Sequence, residues 1–202
     1  MVSPKFLEEA SKQVRPIYAH GLFFVSIDYI AYYLVFHYHD PLEYYSIVVK
    51  DEKLFNDEIA RLWTNMQGFL DQERVMVNGV RVYPRVVMID LGFAESRKRP
   101  YIVFTVRFRA PIRMGRNMYE NFYESEVPEY NYVVYWVFPP GSKILEVNMG
   151  SGGEEWDVVK GNILAIYGYK GRRTGGYEKI LFEISKTGIE ETEESEPNTN
   201  RI

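Results

Sequence analysis

Residues 74–82 read Arg74-Val-Met-Val-Asn-Gly-Val-Arg-Val82. Two short runs with period-2 alternation flank Asn78-Gly79, the dipeptide best suited to the positive φ angles of a type I′ turn. The reading is a β-hairpin, and the same period of two persists through most of the downstream residues. Pro84 has no amide hydrogen, so it ends the hairpin or confines it to a sheet edge. Val86–Phe93 reads as a strand. Ile102, Phe104, Val106 and Phe108 alternate with Val103, Thr105, Arg107 and Arg109, so one face enters a core and the other becomes charged. Tyr130–Phe138, Ile144–Met149, Ile163–Tyr169 and Tyr177–Ser185 read as further strands. Lys170–Gly176 reads as a hairpin loop between the last two.

Upstream of the hairpin the period changes to that of a helix. Asp51 caps a run in which Leu54, Phe55, Ile59, Leu62, Trp63, Met66, Phe69 and Leu70 form one apolar stripe. Lys53, Asp57, Glu58, Arg61 and Asp71 lie on the other side. This predicts a long amphipathic helix over about 51–72. Ser3-Pro4 predicts the start of a short helix to about Arg15, which Pro16 ends. Tyr44–Lys50 reads as a strand. Gly21–Tyr38 is rich in aromatic and β-branched residues and too long for one strand of a small domain, so it reads as two strands broken near Asp28.

Strands do not alternate with helices, which argues against a doubly wound parallel sheet. The expected fold is α+β and β-rich. It is a mainly antiparallel sandwich or barrel-like sheet of seven or more strands, with one long helix and a short N-terminal one. Residues 1–186 are expected to form one domain.

The net charge of −4 is unevenly placed. Residues 187–202 hold five glutamates and one arginine, while the first 186 residues hold 23 acids and 23 bases. The tail has almost no apolar side chains and is expected to be disordered. The neutral body gives no global basic excess of the kind that marks nucleic-acid binders. The apolar stretch at 21–36 is short for a membrane span and carries Asp28, so no transmembrane segment is expected. No secretory leader or Asn-x-Ser/Thr sequon is legible, which points to a cytoplasmic location. The chain contains no cysteine, which excludes disulfides, thiolate metal sites and cysteine nucleophiles. Three glutamines and many Tyr, Arg and Glu residues fit a hot environment.

Candidates for chemistry are few. The chain has three histidines. On a strand, His37 and His39 share a face, and with Glu43, or alternatively Asp28, as an oxygen ligand they could hold a divalent metal. The string His37-x-His39-x-x-x-Glu43 resembles part of the first motif of the cupins. A cupin second motif needs another histidine, and Ile144 stands in its place, so no cupin is assigned. A basic stretch lies at Arg97, Lys98, Arg99, Arg107, Arg109, Arg113 and Arg116, with Tyr101, Phe104 and Phe108 interleaved, the mix of a nucleic-acid or polyanion-binding face. Glu120, Glu124, Glu126 and Glu129 come next. If residues 101–110 and 119–137 are neighbouring antiparallel strands, the two sets pair with each other. Gly150-Ser-Gly-Gly153 lacks the Gly-Lys-Ser/Thr ending of a phosphate loop and reads as a turn.

No Ser-His-Asp order and no Gly-x-Ser-x-Gly elbow is present. The expected role is therefore a non-enzymatic, β-rich interaction module that binds a protein partner or itself as a homo-oligomer. The alternatives are a metal-binding barrel or metal-dependent enzyme using His37 and His39, and a nucleic-acid or polyanion binder using the 97–116 stretch. No cofactor is expected apart from such a metal.

Overall fold

The computed structural model describes residues 3–185. The acidic tail at 187–202 lies outside them. The chain runs α1 (Pro4–Gln13), β1 (Arg15–Val25), β2 (Tyr29–His39), α2 (Tyr44–Val48), α3 (Glu52–Gln72), β3 (Arg74–Val77), β4 (Val80–Val82), β5 (Arg85–Phe93), β6 (Pro100–Arg109), β7 (Gly115–Phe122), β8 (Asn131–Val137), β9 (Lys143–Asn148), β10 (Glu155–Val159), β11 (Ile163–Gly168) and β12 (Tyr177–Ile184).

The strands form two sheets. The larger has the order β10-β11-β8-β1-β2-β6-β5, and the smaller the order β4-β3-β7-β12-β9. All pairs are antiparallel except β1 with β8. The fold is α+β and strand-rich, with the two sheets packed face to face. Their shared core joins Trp136, Val106 and Ile30 from the larger sheet to Val77, Ile180 and Phe182 from the smaller. Trp136 lies at its centre, stacked on Phe23 with ring centroids 4.4 Å apart and tilted against Tyr119 at 4.6 Å.

The predicted turns and helices have visible causes. Asn78 and Gly79 take φ of 51° and 78°, as a type I′ turn requires. Asp51 accepts hydrogen bonds from the Lys53 and Leu54 amides and caps α3. Ile59, Leu62 and Met66 of α3 pack on Ile102 and Phe104, so the helices cover the part of the larger sheet's inner face that the smaller sheet leaves free.

The structure corrects the sequence reading at five places. Tyr44–Lys50 is helical at its start, not a strand. The buried Asp40 carboxylate accepts from the Tyr44 and Tyr45 amides at 2.9 Å each, which satisfies the first turn of a helix that the residues themselves do not favour. Pro16 comes after the end of α1 but lies within β1, at a register shift opposite Tyr38. The 170–176 loop is not a hairpin, because β11 and β12 belong to different sheets. The strands β7 and β10 are additional to those the alternation predicts. Finally, β6 pairs with β2 and β5, while β7 and β8 lie elsewhere, so the 101–110 and 119–137 segments are not neighbours.

The polar side of α3 also differs. Glu58 is buried, holding the Arg61 Nε at 2.9 Å and the Tyr44 hydroxyl at 3.1 Å. Phe69, from the predicted apolar stripe, is 65% exposed. The helix is rotated so that Glu58 meets α2.

Candidate functional site

Residues paired across a ladder share a face, so the register defines what the larger sheet presents outward. One row crosses all seven strands: Asp157, Ala165, Tyr135, Leu22, Tyr33, Thr105 and Met88. The next holds Val159, Ile163, Val137, Phe24, Ala31 and Arg107. On the other side lies the row Glu155, Tyr167, Val133, His20, Val35, Val103 and Asp90. Across these rows the four central strands β11, β8, β1 and β2 place no Asp, Glu, Lys or Arg; their one charged residue on this face is Arg15, at the end of β1 opposite His39. Tyr18, Phe24, Tyr29, Tyr33, Met88 and Tyr167 are all solvent-exposed there. Most charge lies at the two sides, with Glu155 and Asp157 on β10, Arg107 and Arg109 on β6, and Arg85 and Asp90 on β5.

The outer face of the smaller sheet has the opposite character. Arg116 stands opposite Glu183, and Glu120 opposite Lys179. Lys179 pairs with Glu146 at 2.8 Å, and the Tyr177 hydroxyl donates to Glu120 at 2.9 Å. This is an ordinary solvated sheet surface of mixed charge. The exposed apolar face is peculiar to the larger sheet.

The candidate residues fall in separate places. His37 stands between Tyr18 and Tyr101 in the ladder, and His39 opposite Arg15 at the strand end. Glu43 adopts a left-handed conformation just before α2. Among the described residues no three His, Asp or Glu side chains gather where they could hold a metal ion, so His37, His39 and Glu43 do not form one site. His37 instead meets His20, with Nε2 atoms 3.5 Å apart. Burial, and then His37, lowers the His20 pKa.

The basic stretch is divided three ways. Lys98 and Arg99 line a cleft of about 490 Å³ beside His37 and His39, with Ser96 and Glu95, and Arg97 lies in the same β5–β6 loop. Arg107 and Arg109 lie on the outer face of the larger sheet. Arg113 and Arg116 flank a recess of about 280 Å³ with Asn78 and Asn117. Among the described residues no ion pair joins any of these seven to Glu120, Glu124, Glu126 or Glu129.

A second polar group, missed in the sequence, lies at one end of the interior. Glu178 continues the inner stripe of Ile180, Phe182 and Ile184, opposite Asn121. The residue is half-buried, but its Oε1 is sealed from solvent without a partner, as are Asn121 Oδ1 and Trp136 Nε1. Asn121 donates to Glu73 at 2.9 Å. Nearby, the Tyr123 and Tyr132 hydroxyls both turn to Glu154 at 3.4 Å, and the Gly175 amide donates to it at 3.1 Å. Burial pushes the Glu178 carboxyl up to about 8, Trp136 opposes this, and repulsion from Glu73 and Glu154 adds to it. Burial likewise raises Glu73, against the Asn121 hydrogen bond. A carboxyl this high is protonated near neutrality and acts as a donor. A glutamate in register with the otherwise apolar stripe Ile180, Phe182 and Ile184 is the one signal by which the sequence could have revealed it.

No helix among the described residues is long and apolar enough to cross a membrane. No family model matches the chain, and no curated protein matches it. Among solved structures, yeast LTA4 hydrolase in complex with bestatin aligns with 91% of this chain and 33% of its own, at 8% identity and a TM-score of 0.30. The chain thus spans a third of that protein's length, and the likeness is too slight to bear on fold or function.

Proposed function

We propose that the protein is a non-enzymatic interaction module that pairs with a second copy of itself through the outer face of its seven-stranded sheet. The observation that carries this reading is the charge-free centre of that face, with Phe24, Tyr29 and Tyr33 exposed on it. Interface cores are depleted in charge and enriched in aromatic residues, and large exposed apolar patches on soluble proteins mark contact sites. Seven strands at about 4.8 Å spacing and four outward rows give a face of roughly 700 Å². A standard interface takes about 800 Å² from each partner.

Charge supports a second copy as the occupant. A two-fold axis lays a patch on itself, and with that axis parallel to the strands each side of the face meets the opposite side of the other copy. Arg107 of one copy, in the row next to that of Asp157, would then approach Asp157 of the other. The test is sedimentation velocity across a concentration series. A reversible dimer is expected, and Tyr33→Lys is expected to return it to monomer with its circular dichroism intact. A strict monomer at all concentrations would sink the reading.

A second reading has its own observation. Arg107 and Arg109 are exposed beside Tyr29 and Tyr33, a pairing of cations and stacking rings suited to single-stranded nucleic acid. Salt-dependent retention of a labelled oligonucleotide, lost on Arg107→Glu with Arg109→Glu, would favour it over self-association.

A further inference from the structure

We infer that His20 and His37 form a cross-strand chelate for one divalent transition-metal ion on the outer face of the larger sheet. Neither strand contributes the site alone. His20 on β1 lies opposite Val35, and His37 on β2 lies opposite Tyr18, so the two imidazoles are diagonal neighbours on one face of an antiparallel ladder. Such neighbours are within reach of each other's side chains.

The separation argues for a shared ion over a direct bond. Hydrogen bonds from N–H donors usually span about 2.7–3.2 Å, and the Nε2 atoms stand 3.5 Å apart. Two imidazole nitrogens on one tetrahedral zinc, each at about 2.0–2.1 Å, lie roughly 3.3–3.4 Å from each other. The pair therefore needs almost no movement to bind an ion between its two Nε2 atoms. The rings are held in place by their neighbours: Tyr18 lies 5.4 Å from His20 and 6.3 Å from His37, and Tyr101 lies 6.2 Å from His37, all between centroids. Tyr101 in turn occupies the space above Gly92, where a Cβ would collide with its hydroxyl.

The chemistry selects the ion. Both ligands are imidazoles, which suit zinc, nickel and copper, and there is no carboxylate set of the kind magnesium or calcium needs. Among the described residues no third His, Asp or Glu joins them, so within one copy the ion's other positions carry no protein carboxylate or imidazole. An open site of this kind is exchangeable and weaker than a closed structural zinc site.

The experiment is calorimetric titration of chelator-stripped full-length protein with zinc and with nickel. Saturable binding is expected. His20→Ala and His37→Ala are each expected to weaken it by more than about tenfold, and His39→Ala to leave it unchanged. Copper(II) should selectively broaden amide resonances at 18–22 and 35–39, a readout that requires no variant. Titration curves for both variants that overlay the wild type, or broadening centred on His39, would overturn the assignment.

Discussion

Glu178 stands directly across the β7–β12 ladder from Asn121, and both carry a buried oxygen without a partner, Oε1 and Oδ1 respectively. A protonated Glu178 carries a hydroxyl that can donate a hydrogen bond, which its carboxylate cannot. The carboxyl titrates at about 8 in the fold, against an ordinary value of 4.5. The folded state therefore holds its proton more tightly than the unfolded chain. Its contribution to stability is complete below about pH 4.5, declines between 4.5 and 8, and is gone above 8. Glu178→Gln keeps a donor and cannot ionise. The variant is expected to be more stable than wild type at pH 9, on the order of a few kcal/mol, with the gap closing towards pH 5. Urea denaturation at pH 5, 7 and 9 measures it. Parallel pH profiles would contradict the assignment.

Asp40 offers a test of how the short helix α2 is held. Its carboxylate is fully buried and serves the amides of Tyr44 and Tyr45. Asp40→Ala leaves both donors unmet, at a cost of about 2–4 kcal/mol. Asp40→Asn keeps one acceptor and should lose less. Chemical denaturation of the three proteins gives the order, and equal midpoints would show that the cap is not what holds the turn.

Charge reversal tests the proposed two-fold pairing. Arg107→Glu with Arg109→Glu should weaken the dimer by about tenfold or more, since a like charge then approaches Asp157. Adding Asp157→Arg should restore part of the loss. The same substitutions should not change the unfolding midpoint of a dilute, monomeric sample. Sedimentation at low and high salt separates the two effects, and no rescue would remove the two-fold arrangement.

Trp136 is 1% exposed and contacts both Phe23 and Tyr119. Trp136→Ala should cost about 3–5 kcal/mol. Because the side chain bridges the two sheets, both should unfold together, in one transition by far-ultraviolet circular dichroism and by tyrosine fluorescence.

The parts of the fold visible in the sequence are those where apolar period and local turn chemistry agree. The Asn78-Gly79 hairpin, the Asp51-capped helix, the break near Asp28 and the alternation of β6 are of this kind. The misreadings come from contacts between distant residues. β7 escapes detection because its inward positions include Asn117 and Asn121, which break the apolar alternation. Asn117 is satisfied locally, donating to the Arg113 and Gly115 carbonyls and accepting from the Arg113 amide. α2 reads as a strand because its cap comes from Asp40, beyond the helix's own residues. Glu58 reads as solvated because nothing local announces Tyr44 as its partner. The meeting of His20 with His37 is implicit once Asp28 is taken as a hairpin turn, since that turn fixes which residues face each other. The charge-free centre of the outer face is not legible, because it depends on the order of all seven strands.

The single parallel pair, β1 with β8, has a consequence for synthesis. The hairpin of β1 and β2 can close as soon as residue 39 has left the ribosome. One side of β1 must then wait for residues 131–137 before its backbone hydrogen bonds are complete. Over that interval the nascent chain shows an open, aromatic-rich edge, and such edges recruit other chains. The step that ends this exposure is also the one with the longest loop to close, so it should limit the rate of folding. Chaperone dependence during translation is thus expected to track the arrival of β8, well before the chain is finished.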